Sequence, residues 1–288
     1  MIDLRRAAAR RALALAGLAA LAGCATIPAV DRARFDFEGR VVAVPLGCAS
    51  REPLASIPRA LPASAPITLV SWNIHKNGDP GWKADLARFL ASSDFVLLQE
   101  ANLSDALRAE LARAHHHWVH ADAWALDDVA NGVLIAAAAA PYEACVQRAR
   151  EPLITLPKSA LIAWFRIEGR IDTLAVANVH AINFTLGLGA YDDQLDAVAD
   201  VLASHRGPVV LAGDFNAWSA ARVASVRALA ARLGLAEVPA SFGVRSPFLG
   251  KPADYLFTRG FDVEDSWIDD VASSDHAAIV ATMRLSAR

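Results

Sequence analysis

An acid and an amide follow one short apolar run of this sequence, and these are residue types that hold a hard cation. The run Val209–Ala212 gives way to the polar stretch Gly213-Asp214-Phe215-Asn216. This composition predicts a buried strand that ends in a polar loop. Strand alternation would send Asp214 and Asn216 to one side and Phe215 back into the core. Because Gly, Asp and Asn are also ordinary turn residues, this stretch alone does not distinguish a site from a turn.

Five further places in the chain repeat this arrangement, with polar residues at or beside the end of a predicted strand. These residues are Asn73, Glu100, His180 with Asn183, Asp254, and Asp275 with His276. Strand ends on one rim of a sheet meet in space, so these dispersed groups can form one site. Together they offer oxygen ligands for a hard cation and histidines for proton transfer. Hydrolysis of a phosphoester requires this combination of groups.

The strands that would carry these residues alternate with amphipathic helices, which indicates an α/β domain from about residue 67 to residue 288. The predicted strands are Thr68–Trp72, Asp94–Leu98, Gly132–Ala136, Ser159–Ile167, Ile171–Val179, Val209–Ala212, Ala253–Thr258 and Ala277–Leu285. The predicted helices cover Trp82–Ala91, Leu103–Leu111 and Asp192–His205, and a fourth is capped by Ser219 and ended by Gly234. The histidines at 115, 116, 117 and 120 would point in different directions on a helix, so we expect a solvated helix end there.

The composition favours a folded domain over a general nucleic-acid-binding surface. The 288 residues are 55% hydrophobic and carry a net charge of −3. Such a chain builds a sizeable core but has no broad positive charge for a polyanion. Compact phosphate sites remain compatible with this balance, because local clusters matter more than the total.

The N-terminus is predicted to be an export signal. Arginines at 5, 6, 10 and 11 precede the apolar run Ala12–Ala22, which is too short for a membrane-spanning helix. The run ends in Leu21-Ala22-Gly23-Cys24, which resembles the bacterial lipobox. That resemblance implies a signal peptide over residues 1–23, lipidation of Cys24, and a protein anchored by lipid in the bacterial cell envelope, on the periplasmic side. An ordinary signal peptide with a chance Cys is the alternative.

Residues 24–66 are predicted to be a tether followed by an extended N-terminal segment, because prolines recur along them with little helical period. With Cys24 lipidated, Cys48 and Cys145 remain, in a compartment that allows disulfides. A bridge between them and two buried thiols are equally compatible with the sequence. We expect a monomer.

The six groups of residues, taken together, resemble the motifs of the endonuclease/exonuclease/phosphatase superfamily in their order. The motifs are Ser71-Trp72-Asn73-Ile74, Leu97-Leu98-Gln99-Glu100, Asn178-Val179-His180, Gly213-Asp214-Phe215-Asn216-Ala217, Asp254-Tyr255-Leu256-Phe257 and Ser274-Asp275-His276. The resemblance covers about residue 67 to 285. It implies a four-layered α-β-β-α sandwich with two mixed sheets. It also implies a Mg²⁺-dependent phosphoester hydrolase in which Mn²⁺ can substitute.

The resemblance also implies a role for each site residue. Glu100 is the main metal ligand, Asn73 lies beside metal and phosphate, and Asp275 is an additional ligand. Asp214 orients or deprotonates water, and Asn216 holds the transition-state oxyanion. His276 pairs with Asp254 at the scissile phosphate. His180 matches a histidine that can protonate the leaving oxygen, and Asn183 matches a phosphate-contacting Asn.

Two departures from the family pattern limit these assignments. His75 stands where many members have an acid, and Ala137 and Ala138 stand where many have Ser-Arg. Asn131 and Lys158 are the nearest candidates to replace the missing phosphate-contacting Arg.

The leading activity is a phosphodiesterase acting on nucleic acid. The alternatives are a phospholipid or sphingomyelin phosphodiesterase, a phosphoinositide-type phosphatase, and a non-catalytic envelope binding protein on the same fold.

Overall fold

Two β-sheets stacked face to face form the centre of the protein, and α-helices cover their outer faces. The computed structural model describes residues 25–37, 39–49, 52–54, 60–241, 243, 247–248 and 251–287. Within these ranges the helices are α1 (Trp82–Ser92), α2 (Asp105–Arg113), α3 (Gly189–Ala203) and α4 (Ala220–Arg232), and a short 3₁₀ turn spans His75–Asn77. The arrangement is the predicted four-layered α-β-β-α sandwich.

The strands fall into two large mixed sheets and one small ribbon. In chain order they are β1 (Arg32–Phe37), β2 (Arg40–Pro45), β3 (Glu52–Pro53), β4 (Ile67–Asn73), β5 (Phe95–Asn102), β6 (His117–Leu126), β7 (Val129–Ala137), β8 (Glu143–Arg150), β9 (Pro157–Arg166), β10 (Thr173–His180), β11 (Val209–Asp214), β12 (Ala236–Glu237), β13 (Pro247–Phe248), β14 (Lys251–Pro252), β15 (Asp254–Arg259), β16 (Phe261–Asp269) and β17 (Ala278–Leu285).

Among the described strands, the first sheet has the order β16-β17-β4-β5-β7-β6-β1-β2 and the second β12-β15-β11-β10-β9-β8-β3. β4 pairs with β5 in parallel, and β10 pairs with β11 in parallel. Their other described neighbours are antiparallel. β13 and β14 form a separate two-stranded ribbon.

Strand alternation divides the apolar side chains among three layers of core. Between the sheets lie residues such as Leu97 and Val176, and Phe95 of the first sheet meets Phe165 of the second edge-on at 4.9 Å. Helices α1 and α2 pack on the outer face of the first sheet, and α3 and α4 pack on that of the second. The polar residues that end the central strands are therefore supported on both sides by packed apolar layers.

The segment between residues 24 and 66 contributes strands of its own to the sandwich. β1 pairs with β2 and with β6 at the edge of the first sheet, and Ala33 and Leu46 reach the core. A disulfide between Cys48 and Cys145 ties this segment to β8. The domain boundary at residue 67 stays a prediction. The predicted signal peptide, residues 1–23, and Cys24 lie outside the described residues.

The histidine cluster differs from our expectation at its last member. α2 ends at Arg113, and His117 already begins β6, so these residues do not share one helix. His120 is completely buried in β6, where Nδ1 lies 3.0 Å from Asp122 Oδ1 and Nε2 lies 3.1 Å from Ala101 O. The prediction of a solvated helix end was wrong for His120, because the chain turns into a strand earlier than assumed. In the described part of the chain, no helix is both long and apolar enough to span a membrane.

Candidate active site

The predicted site residues meet at one rim of the sandwich because of the direction of the strands that carry them. β4 and β5 end at this rim in the first sheet, and β10 and β11 end there in the second. β15 and β17 run antiparallel to β11 and β4, so they begin at the same rim. The strand ends bring Asn73, Glu100, His180 and Asp214, and the strand starts bring Asp254 and His276.

Asp214 lies at the centre of this group and is almost completely buried. Asn73 of the first sheet donates a hydrogen bond from Nδ2 to Asp214 Oδ2 at 3.1 Å. The Nε2 atoms of His180 and His276 lie 3.4 Å and 3.9 Å from the same oxygen. The backbone N–H of Asn216 donates to the other carboxylate oxygen at 2.8 Å. One carboxylate oxygen therefore faces groups from both sheets.

Asp254 orients His276 through its Nδ1 atom, which lies 2.8 Å from Asp254 Oδ2. Burial acts to lower the pKa of His276, but the carboxylates of Asp254 and Asp214 outweigh it and hold the pKa well above its ordinary value. The imidazolium is therefore the favoured form at neutral pH. Burial acts in the opposite sense on Asp214, whose pKa it raises.

Glu100 reaches the site through an irregularity of its strand. Its backbone φ is +52°, and the pairing of β5 with β7 shifts register between Leu98 and Ala101. A bulge of this kind re-aims a side chain, and positive φ in a residue other than glycine is uncommon. Asn131 supports the bulge, because its Nδ2 donates to Glu100 O at 3.2 Å and to Asn102 Oδ1 at 2.9 Å.

Two ammonium groups contact the Glu100 carboxylate. Lys76 Nζ lies 2.5 Å from Oε2, and Lys158 Nζ lies 3.5 Å from Oε1. Burial alone would raise the pKa of Glu100, but the charges of Lys158 and Lys76 offset it and hold the pKa well below its ordinary value. Lys158, a candidate to replace the missing Arg, thus lies at the site. Lys76 was not predicted; it belongs to the 3₁₀ turn in which His75, Lys76 and Asn77 all have positive φ.

His180 lies between Glu100 and Asp214, with Nε2 at 3.8 Å from Glu100 Oε1 and 3.4 Å from Asp214 Oδ2. Burial lowers its pKa to about 3, and the nearby charge of Lys158 acts in the same direction. His180 is therefore neutral at physiological pH, in contrast to His276. Gln194 of α3 holds the backbone of His180 by donating from Nε2 to its carbonyl oxygen at 3.1 Å.

Asn216 adopts a backbone conformation that strand alternation did not predict. β11 ends at Asp214, and Asn216 has a φ of +47°, so a tight turn rather than a continuing strand brings the two residues together. The Asn216 side chain donates from Nδ2 to Ala181 O at 2.8 Å. Phe215 packs in the core between the second sheet and its helices, as predicted.

Asn183 and Asp275 lie further out than the other predicted residues. Asn183 is partly buried; its Oδ1 accepts a hydrogen bond from Trp218 Nε1 at 2.9 Å, and its N–H donates to Glu151 Oε1 at 2.6 Å. The Asp275 side chain is 63% exposed, and its carboxylate lies 3.8 Å from His75 Nδ1. Among the described residues, the structure does not bring Asp275 into the buried group around Asp214.

A buried amide pair behind the site was also missed. Gln99 Nε2 donates to Asn178 Oδ1 at 2.7 Å, and Asn178 Nδ2 donates to the carbonyl oxygens of Leu98 and Leu134 at 2.9 Å each. These bonds join the two sheets directly beneath the rim. Both residues stand in the quoted motifs, one position before Glu100 and two before His180, so the sequence signal was present but was assigned no role.

Two sets of donor atoms at the rim suit a divalent cation. Asp214, Asp254 and His276 each offer a ligand atom, and these atoms lie within 4.8 Å of one another. Glu100 and Asn73 offer a second set made only of oxygen atoms, in which Lys76 Nζ lies 2.5 Å from Glu100 Oε2. Oxygen donors suit Mg²⁺, and a set that includes imidazole suits Mn²⁺ as well. The residues present therefore fit a divalent metal.

A sandwich of two mixed sheets, with carboxylates, amides and histidines gathered at one rim, defines a fold of the phosphoester hydrolase type. The sequence model of the Endonuclease/Exonuclease/phosphatase family matches residues 70–276, and the chain belongs to this family. Enzymes of this family generally hydrolyse phosphoesters and depend on a divalent metal.

Bacterial relatives cover most of the chain. The UPF0294 protein of Yersinia enterocolitica is 42% identical over 221 residues, which are 75% of this chain and 83% of that protein. The UPF0294 protein of Yersinia pseudotuberculosis is 39% identical over 221 residues, which are 76% and 84% of the two chains. The match of the family model over residues 70–276 confirms the family resemblance drawn from the six motifs.

Solved structures of low sequence identity share the fold. A functionally unknown conserved protein from Enterococcus faecalis matches 76% of this chain and 100% of its own, with a TM-score of 0.59 and 17% identity. The human Nocturnin catalytic domain with bound sulfate matches 80% and 97%, with a TM-score of 0.58 and 14% identity. Danio rerio TDP2 complexed with single-strand DNA product matches 76% and 99%, with a TM-score of 0.56 and 19% identity.

Proposed function

We propose that this protein is a Mg²⁺-dependent phosphodiesterase of the bacterial cell envelope, with nucleic acid as the leading class of substrate. The observation that carries the proposal is the arrangement around Asp214 Oδ2. Asn73 Nδ2, His180 Nε2 and His276 Nε2 all lie within 3.9 Å of this one oxygen. A water molecule and a phosphoryl group need such a convergence of an acceptor with several donors.

Each group has a task that follows from its contacts. Asp214, held at Oδ1 by the Asn216 N–H, orients the attacking water with Oδ2. His276, whose Nδ1 is fixed by Asp254, directs Nε2 toward the same space. The leaving oxygen takes its proton from His276, because burial keeps His180 neutral at physiological pH. The amides of Asn73, Asn183 and Asn216 are the donors for the phosphoryl oxygens.

Glu100 and Asn73 would hold Mg²⁺. The group formed by Asp214, Asp254 and His276 is a second candidate for a metal such as Mn²⁺, which would bind there only after His276 loses its proton. Asp275 would join only as an outer ligand, because its side chain is largely exposed. A bound divalent cation would supply Lewis acidity to a phosphoryl oxygen.

A phospholipid or sphingomyelin head group is the second candidate substrate, and one surface feature favours it. The loop after β8 and the loop after β10 are joined by the Asn183–Glu151 hydrogen bond. Each exposes a leucine: Leu153 is 54% exposed and Leu186 is 86% exposed. Apolar side chains that stand in water beside a site suit a substrate embedded in a lipid surface. A lipid anchor at Cys24 would hold the protein near such a surface.

The experiment is a substrate panel with the soluble form, residues 25–288, in the presence of Mg²⁺ or Mn²⁺. The panel contains plasmid DNA, single-stranded oligonucleotides, an aryl phosphodiester, phosphoinositides, and vesicles of phosphatidylcholine with sphingomyelin. We expect turnover of a phosphodiester that stops on addition of EDTA. Cleavage of the vesicle lipids without cleavage of DNA would favour the second substrate class.

Two variants test the assignment of the site, and two matched variants control for surface effects. Asp214→Asn and His276→Ala should each lower kcat by about 10² to 10⁴, the usual contribution of acid, base or water-orienting groups. Asp193→Asn and His117→Ala change exposed residues of the same types and should leave turnover unchanged. An inactive wild type across the panel would support a non-catalytic binding protein instead. Full activity of the first two variants would refute the catalytic roles assigned to Asp214 and His276.

A further inference from the structure

A buried guanidinium group lies behind the two loops that carry the predicted phosphate-binding amides. Arg222, in the first turn of α4, is 1% exposed. It contacts two segments that we name by their preceding site residues. The His180 loop comprises residues 181–185, and the Asp214 loop comprises residues 215–219.

Arg222 donates hydrogen bonds into both loops. Nη1 donates to Ile182 O at 2.9 Å and to Asn216 O at 3.0 Å. Nη2 donates to Asn183 O at 2.7 Å and to Thr185 Oγ1 at 2.9 Å. The planar fork of an arginine can make these bonds at once, whereas a lysine is a point charge and cannot. One side chain thus ties the two loops together.

Two aromatic rings enclose the guanidinium and are themselves fastened to the same loops. The guanidinium carbon lies 4.3 Å from the ring centroid of Tyr191 and 4.5 Å from that of Trp218. Tyr191 donates its hydroxyl to Phe215 O at 2.7 Å, and Trp218 donates Nε1 to Asn183 Oδ1 at 2.9 Å. Rotation of Arg222 would therefore disturb both rings and both loops.

Burial of the charged Arg222 guanidinium costs free energy. Burial lowers the pKa of Arg222, which means that the charged form is disfavoured relative to water. Its contacts in the described part of the chain are carbonyl oxygens, one hydroxyl and two rings. An apolar side chain packed between the same two rings would avoid this cost. The arrangement therefore favours a role in geometry over a role in stability.

The geometry in question is that of Asn183 and Asn216, because Arg222 binds the backbone carbonyl oxygen of each. Asn216 also has a left-handed backbone, which a flexible loop would not retain. The side chains of these two residues are the donors that the proposed reaction needs for the phosphoryl oxygens. A displacement of such donors by about 1 Å is enough to slow turnover by about 10².

We propose that Arg222 is a positioning residue that holds the amide groups of Asn183 and Asn216 in register for a phosphoryl group. The inference rests on the proposed phosphoester hydrolase function. Arg222 does not contact the substrate; it acts through the two loops. The rings of Tyr191 and Trp218 hold the guanidinium group in the plane from which it reaches both loops.

The first test compares Arg222→Ala and Arg222→Lys with the wild type, with the folded state of each checked by thermal unfolding. With an aryl phosphodiester and Mn²⁺, we expect Arg222→Ala to lower kcat by about 10² and to raise KM, because the same amide donors contact the bound phosphate. Guanidinium ion at tens of millimolar should fill the vacated space and raise kcat of Arg222→Ala at least tenfold. Arg222→Lys should stay impaired, because an ammonium group cannot bridge both loops.

The matched control is Arg232→Ala in the same helix. Arg232 is paired with Asp196 and Asp200 at the surface, so its removal should leave kcat unchanged. Trp218→Phe is a milder variant that keeps a ring over Arg222 but removes the bond to Asn183, and it should lower kcat by about tenfold. Wild-type kcat in Arg222→Ala, or guanidinium that restores thermal stability but not turnover, would overturn the inference.

A second measurement does not depend on turnover. Calorimetric titration with inorganic phosphate reports directly on the amide donors, and Arg222→Ala should weaken phosphate binding as much as Asn183→Ala does. Equal phosphate affinity in Arg222→Ala and the wild type would refute the positioning role even in an enzyme that turns over. A wild type that hydrolyses nothing, but whose phosphate affinity depends on Arg222, would instead refute the proposed function alone.

Discussion

Replacing Lys76 with methionine should tighten the binding of Mn²⁺, because it removes a cation from the proposed metal ligand. Lys76 Nζ lies 2.5 Å from Glu100 Oε2, and Lys158 Nζ lies 3.5 Å from Oε1. A divalent cation held by this carboxylate would have two ammonium groups as neighbours. Lys76 and the metal therefore compete for the same oxygen. Methionine keeps an unbranched chain of similar length without the charge.

The size of the effect follows from the charges and from the exposure of Lys76. Two unit charges 4 Å apart interact by about 4 kcal/mol at an effective dielectric constant near 20, and a divalent partner doubles this. The Lys76 side chain is 39% exposed, so it can turn into water and escape most of the repulsion. Turning into water breaks the ion pair between Lys76 and Glu100, and this costs about 1 kcal/mol because the lysine end of the pair is exposed. We therefore expect Kd for Mn²⁺ to fall by about fivefold in Lys76→Met, which is about 1 kcal/mol.

The assay is calorimetric titration of residues 25–288 with Mn²⁺, without substrate. Lys83→Met is the matched control, because Lys83 is an exposed lysine on α1 that stacks on the ring of Trp82. Its Mn²⁺ affinity should equal that of the wild type. Glu100→Gln should weaken binding strongly. An unchanged or weaker Mn²⁺ affinity in Lys76→Met would show that the metal and Lys76 do not share Glu100, and the reasoning would fail.

Three further predictions concern stability and location. Cys145→Ala, or reduction of the wild type, should lower the free energy of unfolding by about 2–4 kcal/mol, measured by denaturant titration, because the bridge to Cys48 closes a long loop. Burial would raise the pKa of Asp122, but hydrogen bonds from His120 and Arg34 outweigh burial and lower it. The ionised Asp122 therefore stabilises the fold at any pH above its unfolded pKa of about 3.9, and this stabilisation is lost as the pH falls through the lower folded pKa. Asp122→Asn should cost about 1–3 kcal/mol at pH 7, and the difference from wild type should shrink below about pH 4 in pH-dependent unfolding. Cys24→Ser should move the full-length protein from the membrane to the soluble fraction, and unchanged fractionation would count against the lipid anchor.

Much of the rim was predictable because its residues stand at strand ends. A buried strand is visible as an apolar run, and the residue that follows it is placed by the strand rather than by its own side chain. Asp214, Glu100 and His180 were located in this way. Asp254 and His276 stand at the starts of β15 and β17, so their place at the rim depends on antiparallel pairing. The sequence did not predict this pairing, and only the family resemblance placed these two residues at the site.

Apart from the buried pair of Gln99 and Asn178, the features of the site that the sequence did not predict depend on local departures from regular structure. Lys76 reaches Glu100 because three consecutive residues take positive φ, and no composition rule predicts such a turn without glycine. Glu100 is turned by a bulge, and Asn216 is turned by a left-handed backbone. His120 was misassigned because helix spacing was extended past the true end of α2. Period-based reasoning assumes regular elements, so it fails where the site is made by irregular ones.

The spacing of the two sheets is itself a part of the site. Asn73 belongs to the first sheet and Asp214 to the second, and the hydrogen bond between them crosses the gap at 3.1 Å. The Gln99–Asn178 bond crosses the same gap one layer deeper, at 2.7 Å. A side chain such as Leu97, buried between the sheets, sets how far apart they lie. Since hydrogen bonds weaken over a few tenths of an ångström, packing in the middle of the sandwich controls whether Asn73 and Asp214 can act together at its rim.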